Sequence, residues 1–394
     1  MIDNNDINPI DPSINPESRF PDSFIAKIVN STRSLGAHDC ILREGGDGWC
    51  VIDGNLHYFE RDGKRRKMPF NKKDVQEMLE YIYEDLDTIL TEYEGAATVR
   101  IPLPSGPTRV QIARDSKGYS LTFRMLPKRP MTIEEVGAPI WLTDFFAHAQ
   151  RGLIVICGDV GNGKSSLWQM VIEHIYAQQM RQIITLESPI EVSCESPLIR
   201  QYQIDTNTTE SINDAFNKST MPKNHSQMIK TYEAGLRHRL RCNANVLVLG
   251  EILDPKTVIA LLSAAESGAL VIVTLHALRT VDVIDRLLSM LPADRSKIAQ
   301  VQLAETLVGV IGTRLIPKRE GGRILALELL RNTRTVKRMI LDGDTNRILQ
   351  DIENNGNDPQ NGHLRLENML KSMISQNIVT VNEAKKAAND PSAL

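Results

Sequence analysis

The stretch CGDVGNGKSS, residues 157–166, decides how the rest of the chain is read. It follows the apolar run GLIVI (152–156) and precedes LWQMVIEHIYAQQM (167–180). The spacing Gly158-x-x-x-x-Gly163-Lys164-Ser165 is that of a phosphate-binding loop. Its glycines let successive backbone N–H groups turn inward around an anion, Lys164 can reach the β- and γ-phosphates, and the Ser165 hydroxyl can ligate Mg²⁺. The run before it reads as a buried strand and the run after it as a helix. A helix N-terminus adds unpaired N–H donors and the positive end of a dipole beneath the phosphates. An ordinary glycine turn can match the spacing by chance, but strand and helix in the right places speak against that. Gly158, Asp159, Val160, Gly161, Asn162, Gly163, Lys164, Ser165 and Ser166 are therefore the expected cradle of a nucleoside triphosphate, with ATP and Mg²⁺ as the expected cofactors.

Working outward, β-branched apolar runs alternate with helical patterns from about 140 to 345. The runs are LIVIC (153–157), QIITL (182–186), VLVLG (246–250), ALVIVTL (269–275) and ILALELL (324–330). Strands alternating with helices imply a parallel sheet covered on both faces. The polar stretch DTNTTESINDAFNKSTMPKNHSQ (205–227) interrupts this pattern and reads as a surface insertion, with a partner contact as the other possibility.

Upstream, residues 21–128 read as a small α+β unit. FIAKIVNSTRSLG (24–36) has helical spacing, and DCILREG (39–45) reads as a strand. WCVIDGNLHYF (49–59) reads as strands closed by a turn at Asp53-Gly54, and KKDVQEMLEYIYEDLDTIL (72–90) as one amphipathic helix. TRVQIARDSKGYSLTFRMLP (108–127) alternates and turns at Lys117-Gly118, which predicts a hairpin. Residues 1–20 are acidic and rich in Asn and Pro, hence a flexible tail, with a partner-binding arm as the alternative. PKRPMTIEEVGAP (127–139) supplies three prolines, and residues 129–149 read as an interdomain linker, 150–345 as the core, and 346–394 as a helical C-terminal segment.

Composition sets outer limits. The chain has 394 residues, 41% of them hydrophobic and 24% charged, which suits a globular protein of two domains. The formal net charge of −3 gives no bulk attraction for nucleic acid. No apolar stretch approaches the roughly 18 residues of a membrane-spanning helix. The five cysteines, Cys40, Cys50, Cys157, Cys194 and Cys242, form no Cys-x-x-Cys pair, which excludes a cysteine-built zinc site and suits a reducing cytoplasm.

Hydrolysis needs a water in line with the γ-phosphate, a group to orient it, and positive charge on the departing oxygens. Glu251 just past VLVL and Glu187 at the end of IITLE sit where α/β sheets bind ligands, although either can instead cap a helix or be a solvated strand end. Glu191 is the weaker candidate. His276, just past VIVTL, can sense the γ-phosphate, or be a satisfied core histidine. Arg109, Arg114 and Arg124 along the hairpin, and Arg237 and Arg241 one helical turn apart, can reach a nucleotide held by a neighbouring subunit, or form surface salt bridges. NKKD (71–74) matches a guanine-reading tetrapeptide, but it lies upstream of the phosphate loop in a charged helix start and reads as coincidence.

In order, GDVGNGKSS, ITLESPIE, VLVLGEILDP and SGALVIVTLHA resemble the Walker A, aspartate box, Walker B and histidine box of the secretion ATPase superfamily. That superfamily includes PilT-like pilus retraction motors, type II secretion ATPases and VirB-type conjugation ATPases. LGAHDCILREGGDGWCVIDGNL resembles the start of its PAS-like N-terminal domain, and ETLVGVIGTRLIP with GGRILALELLRNTRTVKRMI the close of the PilT-like core. The C-terminus together with the insertion resembles the DotB-like ATPases of type IVB and I-type conjugative systems. Ser188 stands where the family usually has Asp, Asn245 replaces an Asp before Walker B, and Ala269 replaces a His or similar residue.

The resemblance implies an α/β fold, with a RecA-like P-loop core preceded by the small α+β PAS-like domain and followed by a helical C-terminal segment. It implies an ATPase working as a homo-hexamer in the cytoplasm, peripheral at the inner membrane through partners in a secretion or coupling complex, with no direct nucleic-acid partner. By the same resemblance Lys164 binds phosphate, Ser165 holds Mg²⁺, Glu251 polarises water and Glu187 assists at the metal or water. His276 couples the site to the subunit interface, and Arg109, Arg114 and Arg124 reach nucleotide. The alternatives are a pilus retraction motor, a weakly hydrolysing nucleotide-gated scaffold and a nucleic-acid translocase.

Overall fold

The computed structural model describes residues 19–394 apart from 53–54, 62–63, 83, 93–94, 104, 134, 189, 195, 205–230, 233, 237–241, 243 and 253. The described residues divide into one unit ending at Lys128 and a second beginning at Arg129. The Asp53-Gly54 turn, the 205–227 insertion, Arg237 and Arg241 lie outside the described residues.

In the first unit, Ser23 caps helix α1 (Phe24–Ser34) by accepting a hydrogen bond from the Ala26 amide, and the helix buries Ile25, Ala26 and Val29. Strands β1 (Asp39–Arg43), β2 (Trp49–Ile52) and β3 (Asn55–Tyr58) lead to a short hairpin, β4 (Glu60–Arg61) and β5 (Lys64–Arg65). Helices α2 (Lys72–Glu80) and α3 (Leu86–Glu92) precede strands β6 (Ala96–Leu103), β7 (Gly106–Asp115) and β8 (Gly118–Met125). The sheet order is β3-β2-β1-β8-β7-β6, with antiparallel neighbours throughout. Alternate residues of β7 and β8, among them Val110, Ile112, Leu121 and Phe123, fill a core shared with α1 and α2.

The single helix expected over 72–90 is two helices. Asp85 starts the second by accepting hydrogen bonds from the Thr88 amide and hydroxyl, and Gln76 Oε1 takes the Leu86 amide. Asn71 and Asp74 of the NKKD stretch form a capping box at the start of α2, a structural role that accounts for both residues.

The second unit carries a seven-stranded sheet. Helix α4 (Ile140–His148) falls inside the segment expected to be linker, yet it packs Leu142, Phe145 and Phe146 into the core. Then follow β9 (Gly152–Cys157), α5 (Lys164–Gln179), β10 (Ile183–Glu187), β11 (Ile199–Gln203), β12 (Val246–Leu249), α6 (Pro255–Glu266) and β13 (Leu270–Leu275). Helices α7 (Asp282–Ser289) and α8 (Ala293–Thr306) lead into β14 (Leu307–Pro317) and β15 (Arg323–Arg331). Helices α9 (Arg334–Asp342), α10 (Thr345–Asn355), α11 (Leu366–Ser375) and α12 (Val381–Ala387) close the chain. The order is β11-β10-β12-β13-β9-β14-β15, parallel except for β15, which runs antiparallel to β14. The sheet is therefore mixed rather than wholly parallel.

The apolar runs are continuous because both faces of this sheet are covered. Leu153, Val155 and Cys157 of β9 enter one core and Ile154 and Ile156 the other, and β12 and β13 divide their residues in the same way. Among the described residues, no helix is long and apolar enough to cross a membrane.

Candidate active site

The neighbouring strands β10, β12, β13 and β9 deliver four features in a row at their carboxyl ends. These are Glu187, Glu251, His276 and the 158–166 loop. Glu187 is the last residue of β10, Glu251 lies two residues beyond β12, and His276 directly follows β13. The crevice outside the carboxyl ends of such strands is where open α/β sheets bind ligands.

The loop is pressed against β14. A Cβ on Gly158 would stand 2.7 Å from the Thr313 carbonyl oxygen and 2.8 Å from its hydroxyl, and φ there is +152°, so only glycine fits. Asn162 Oδ1 accepts a hydrogen bond from the Leu315 amide at 3.3 Å. Lys164 opens α5 and is buried, with its ammonium turned back to donate to the carbonyls of Gly158 at 2.8 Å and Asp159 at 2.9 Å. The same nitrogen lies 3.4 Å from His276 Nδ1. Burial draws the pKa of Lys164 down; burial and then the Lys164 charge do the same for His276. A neutral imidazole accepting from the ammonium is consistent with both directions. Ser165 and Ser166 occupy the first turn of α5, and Val160 is exposed on the loop.

Glu187 is 3% exposed, so it is not a solvated strand end. Its Oε1 accepts from the Thr185 hydroxyl at 2.6 Å and from Gln201 Nε2 at 2.9 Å. Gln201 stands opposite Thr185 in the β10–β11 register, which is how it reaches across. Glu251 is half-buried, and its charge acts on both Lys164 and His276. The turn that carries it is held by the Gly250 amide donating to the Leu186 carbonyl at 2.8 Å, and by the Thr274 hydroxyl on the Gly250 carbonyl. Among the described residues, no cluster of three or more His, Cys, Asp or Glu could hold a metal by itself. The oxygen donors here suit a hard cation delivered with phosphates, the usual manner of Mg²⁺.

In the first unit, Arg124 pairs with Asp39 at 2.9 Å. Arg124 lies opposite Arg109, and Arg109 opposite Arg100, so three arginines cross β8, β7 and β6 in one row. Arg114 is five residues from Arg109 and falls on the other face of β7, with its guanidinium 5.7 Å from the Tyr119 ring centre. Arg100, Thr185 and Gln201 escape the sequence reading. Strand alternation in ATVRIPL (97–103) offers a signal for the first, while Gln201 needs the register of β11, which no apolar pattern announces.

A glycine loop between a buried strand and a helix, beside strand-end acids in a RecA-like sheet, defines a P-loop ATPase. The chain belongs to the Type II/IV secretion system protein family, which matches residues 108–383. It is 27% identical over 379 residues to the type IV pilus retraction ATPase PilT of Pseudomonas aeruginosa, a match covering 93% of this chain and 98% of that one. Among solved structures, the pilus retraction motor PilT with bound ADP superposes with a TM-score of 0.73 at 25% identity, covering 94% of this chain and 98% of that one. The Legionella pneumophila ATPase DotB superposes at 0.71 with 20% identity over 95% and 98%, which shows the shared fold.

Proposed function

We propose that the chain works as a homo-hexameric ATPase whose hydrolysis powers a type IV secretion machine of the type IVB or conjugative kind, docked through partner proteins on the cytoplasmic side of the bacterial inner membrane. The observation that carries the enzymatic part is the row of Glu187, Glu251, His276 and Lys164 at four adjacent strand ends. Lys164 would leave the Gly158 and Asp159 carbonyls for the β- and γ-phosphates, and the loop amides would enclose them. Ser165 would hold Mg²⁺, with Glu187 assisting at the metal or the water; the ion neutralises developing phosphate charge. Glu251 would direct the attacking water. Arg109 and Arg124, with Arg100 beside them, would reach a nucleotide on a neighbouring subunit, Arg124 exchanging its pair with Asp39 for the phosphates. Arg114 would act separately from that row. The type IVB assignment is supported by the C-terminal segment and by the polar insertion at 205–227.

The near full-length likeness to PilT supports a second reading, a pilus retraction motor. Deleting the gene and scoring DNA or effector transfer against twitching separates the two. Mass in solution with and without ATP tests the ring, and a monomer at every concentration would refute it. Steady-state phosphate release by Glu251→Gln tests the chemistry. Turnover equal to wild type would remove Glu251 from its role.

A further inference from the structure

Tyr232 lies beside the two strand-end acids and has no part in the site described above. It is 4% exposed, and its hydroxyl oxygen is buried without a hydrogen-bond partner among the described residues. Leaving a buried hydroxyl unpaired is costly, and a phenylalanine would fill the same space without that cost. The oxygen therefore needs a reason.

The local structure explains how it gets there. Thr231 starts a helical turn: its hydroxyl accepts from the Ala234 amide at 3.1 Å, and its carbonyl accepts from the Gly235 amide at 3.1 Å. A Cβ on Gly235 would stand 2.6 and 2.7 Å from the two Leu186 methyls, so the absence of a side chain lets the turn press onto β10 one residue before Glu187. Residues three apart on a helical turn share a side, so Tyr232 faces the same way as Gly235. Its hydroxyl oxygen comes within 3.6 Å of the point where a Cβ on Gly250 would stand. That point is also 3.4 Å from the Leu186 carbonyl oxygen and 3.6 Å from the Glu187 Cα. The phenol thus ends at the seam between β10 and β12, against the peptide that leads into Glu251.

Burial and then the charge of Glu251 push the phenol pKa up; the Glu251 backbone N–H, close to the oxygen but outside hydrogen-bond geometry, lowers it, and the charge of Glu187 raises it again. The hydroxyl keeps its proton and is a donor in search of an acceptor. Glu187 Oε1 already takes two hydrogen bonds. The Glu251 carboxylate takes none among the described residues. We propose that Tyr232 is a positioning residue for ATP hydrolysis, its hydroxyl donating to the Glu251 carboxylate and fixing the direction in which that acid holds the attacking water. This rests on the role of Glu251 given under the proposed function.

Tyr232→Phe removes the oxygen and keeps the ring. Its kcat for ATP hydrolysis should fall about ten- to a hundredfold, the scale of a small misplacement of a reacting group. KM, the affinity for a fluorescent ATP analogue and the melting temperature should hold, with the last free to rise. A kcat within about twofold of wild type, or a loss of nucleotide binding in its place, overturns the proposal. The double variant with Glu251→Gln should be no slower than Glu251→Gln alone, since groups acting through one another are not additive. Fully additive losses would overturn the route through Glu251. If Glu251→Gln is inactive while Tyr232→Phe turns over normally, only Tyr232 loses its role; if Glu251→Gln is fully active, both assignments fall.

Discussion

The ammonium of Lys164 and Nδ1 of His276 lie 3.4 Å apart, although 112 positions separate the two residues in sequence. His276 directly follows β13, and Lys164 opens the helix after the loop that leaves the adjacent β9, so the parallel pairing of the two strands and the turned-back ammonium together make the contact. The charge that would grip a phosphate is in this way already coupled to an imidazole whose pKa burial and that same charge hold below the ordinary histidine value.

Nucleotide binding should therefore take up protons. The groups acting on His276 besides its burial are Lys164 and Arg286, which lower its pKa, and Glu251 and Asp159, which raise it. Phosphates that draw Lys164 away and add negative charge move that pKa up from its lowered value. The free imidazole is neutral near pH 7 and gains proton occupancy in the complex, so affinity weakens as pH rises through the bound-state pKa. Titration calorimetry at pH 7 in buffers of different ionisation enthalpy should show uptake for wild type and none for His276→Gln. Identical heats across buffers for the wild type would refute the coupling.

Gly158→Ala should abolish nucleotide binding while leaving a folded protein. The new Cβ meets the Thr313 backbone oxygen at 2.7 Å, and a strand backbone cannot step aside as a flexible side chain can. The loop must then lift from β14, which displaces the carbonyls that now hold Lys164. Binding of a fluorescent ATP analogue should fall at least about a hundredfold, some 2.7 kcal/mol, with the helical circular dichroism retained. Near-normal affinity would mean that the loop tolerates the displacement.

Much of this site was legible in the sequence because its parts are local. A glycine loop, an acid after an apolar run and a histidine after another each carry their signal within about ten residues. Partners that act across strands left none. Gln201 reaches Glu187 only because β11 pairs with β10 in one register, and IRQYQ has no apolar run to announce a strand. Tyr232 depends on the close approach of Gly235 to Leu186, which sequence spacing does not encode. The break between α2 and α3 was hidden for a related reason: the apolar periodicity continues across it, while Asp85 and Gln76 satisfy the backbone at the new start. From its composition alone the antiparallel β15 reads as one more strand of a parallel sheet, since direction is set by the short connection from β14 and not by the composition of the run.

Thr185→Val should slow hydrolysis without weakening nucleotide binding. It removes the Thr185 hydroxyl from Oε1 of Glu187, a carboxylate that is 3% exposed and has little access to water as a substitute. Losing a hydrogen bond to a buried charge costs about 1–3 kcal/mol. The melting temperature should fall accordingly, and kcat should drop about tenfold if the carboxylate drifts from the metal or water. A lower melting temperature with unchanged kcat would confine Thr185 and Glu187 to a structural role.

The C-terminal end should tune stability in a pH-dependent way through Glu328. This β15 carboxylate is buried, accepting from the Thr280 amide at 2.9 Å and from Asn389 Nδ2 at 3.1 Å. Burial pushes its pKa above the ordinary glutamate value. An acid raised in this way contributes stability that is fully present below the unfolded-state pKa and lost as pH rises through the folded-state pKa. Asn389→Ala withdraws a donor from the ionised form, so the pKa rises further and the ionised state becomes more costly. The variant should lose about 1 kcal/mol more stability at pH 8 than at pH 5. Denaturant melts of wild type and variant at the two pH values check this. An equal loss at both would mean that Asn389 acts through its packing and its 3.5 Å contact with Arg314, because neither has a reason to weaken as Glu328 ionises.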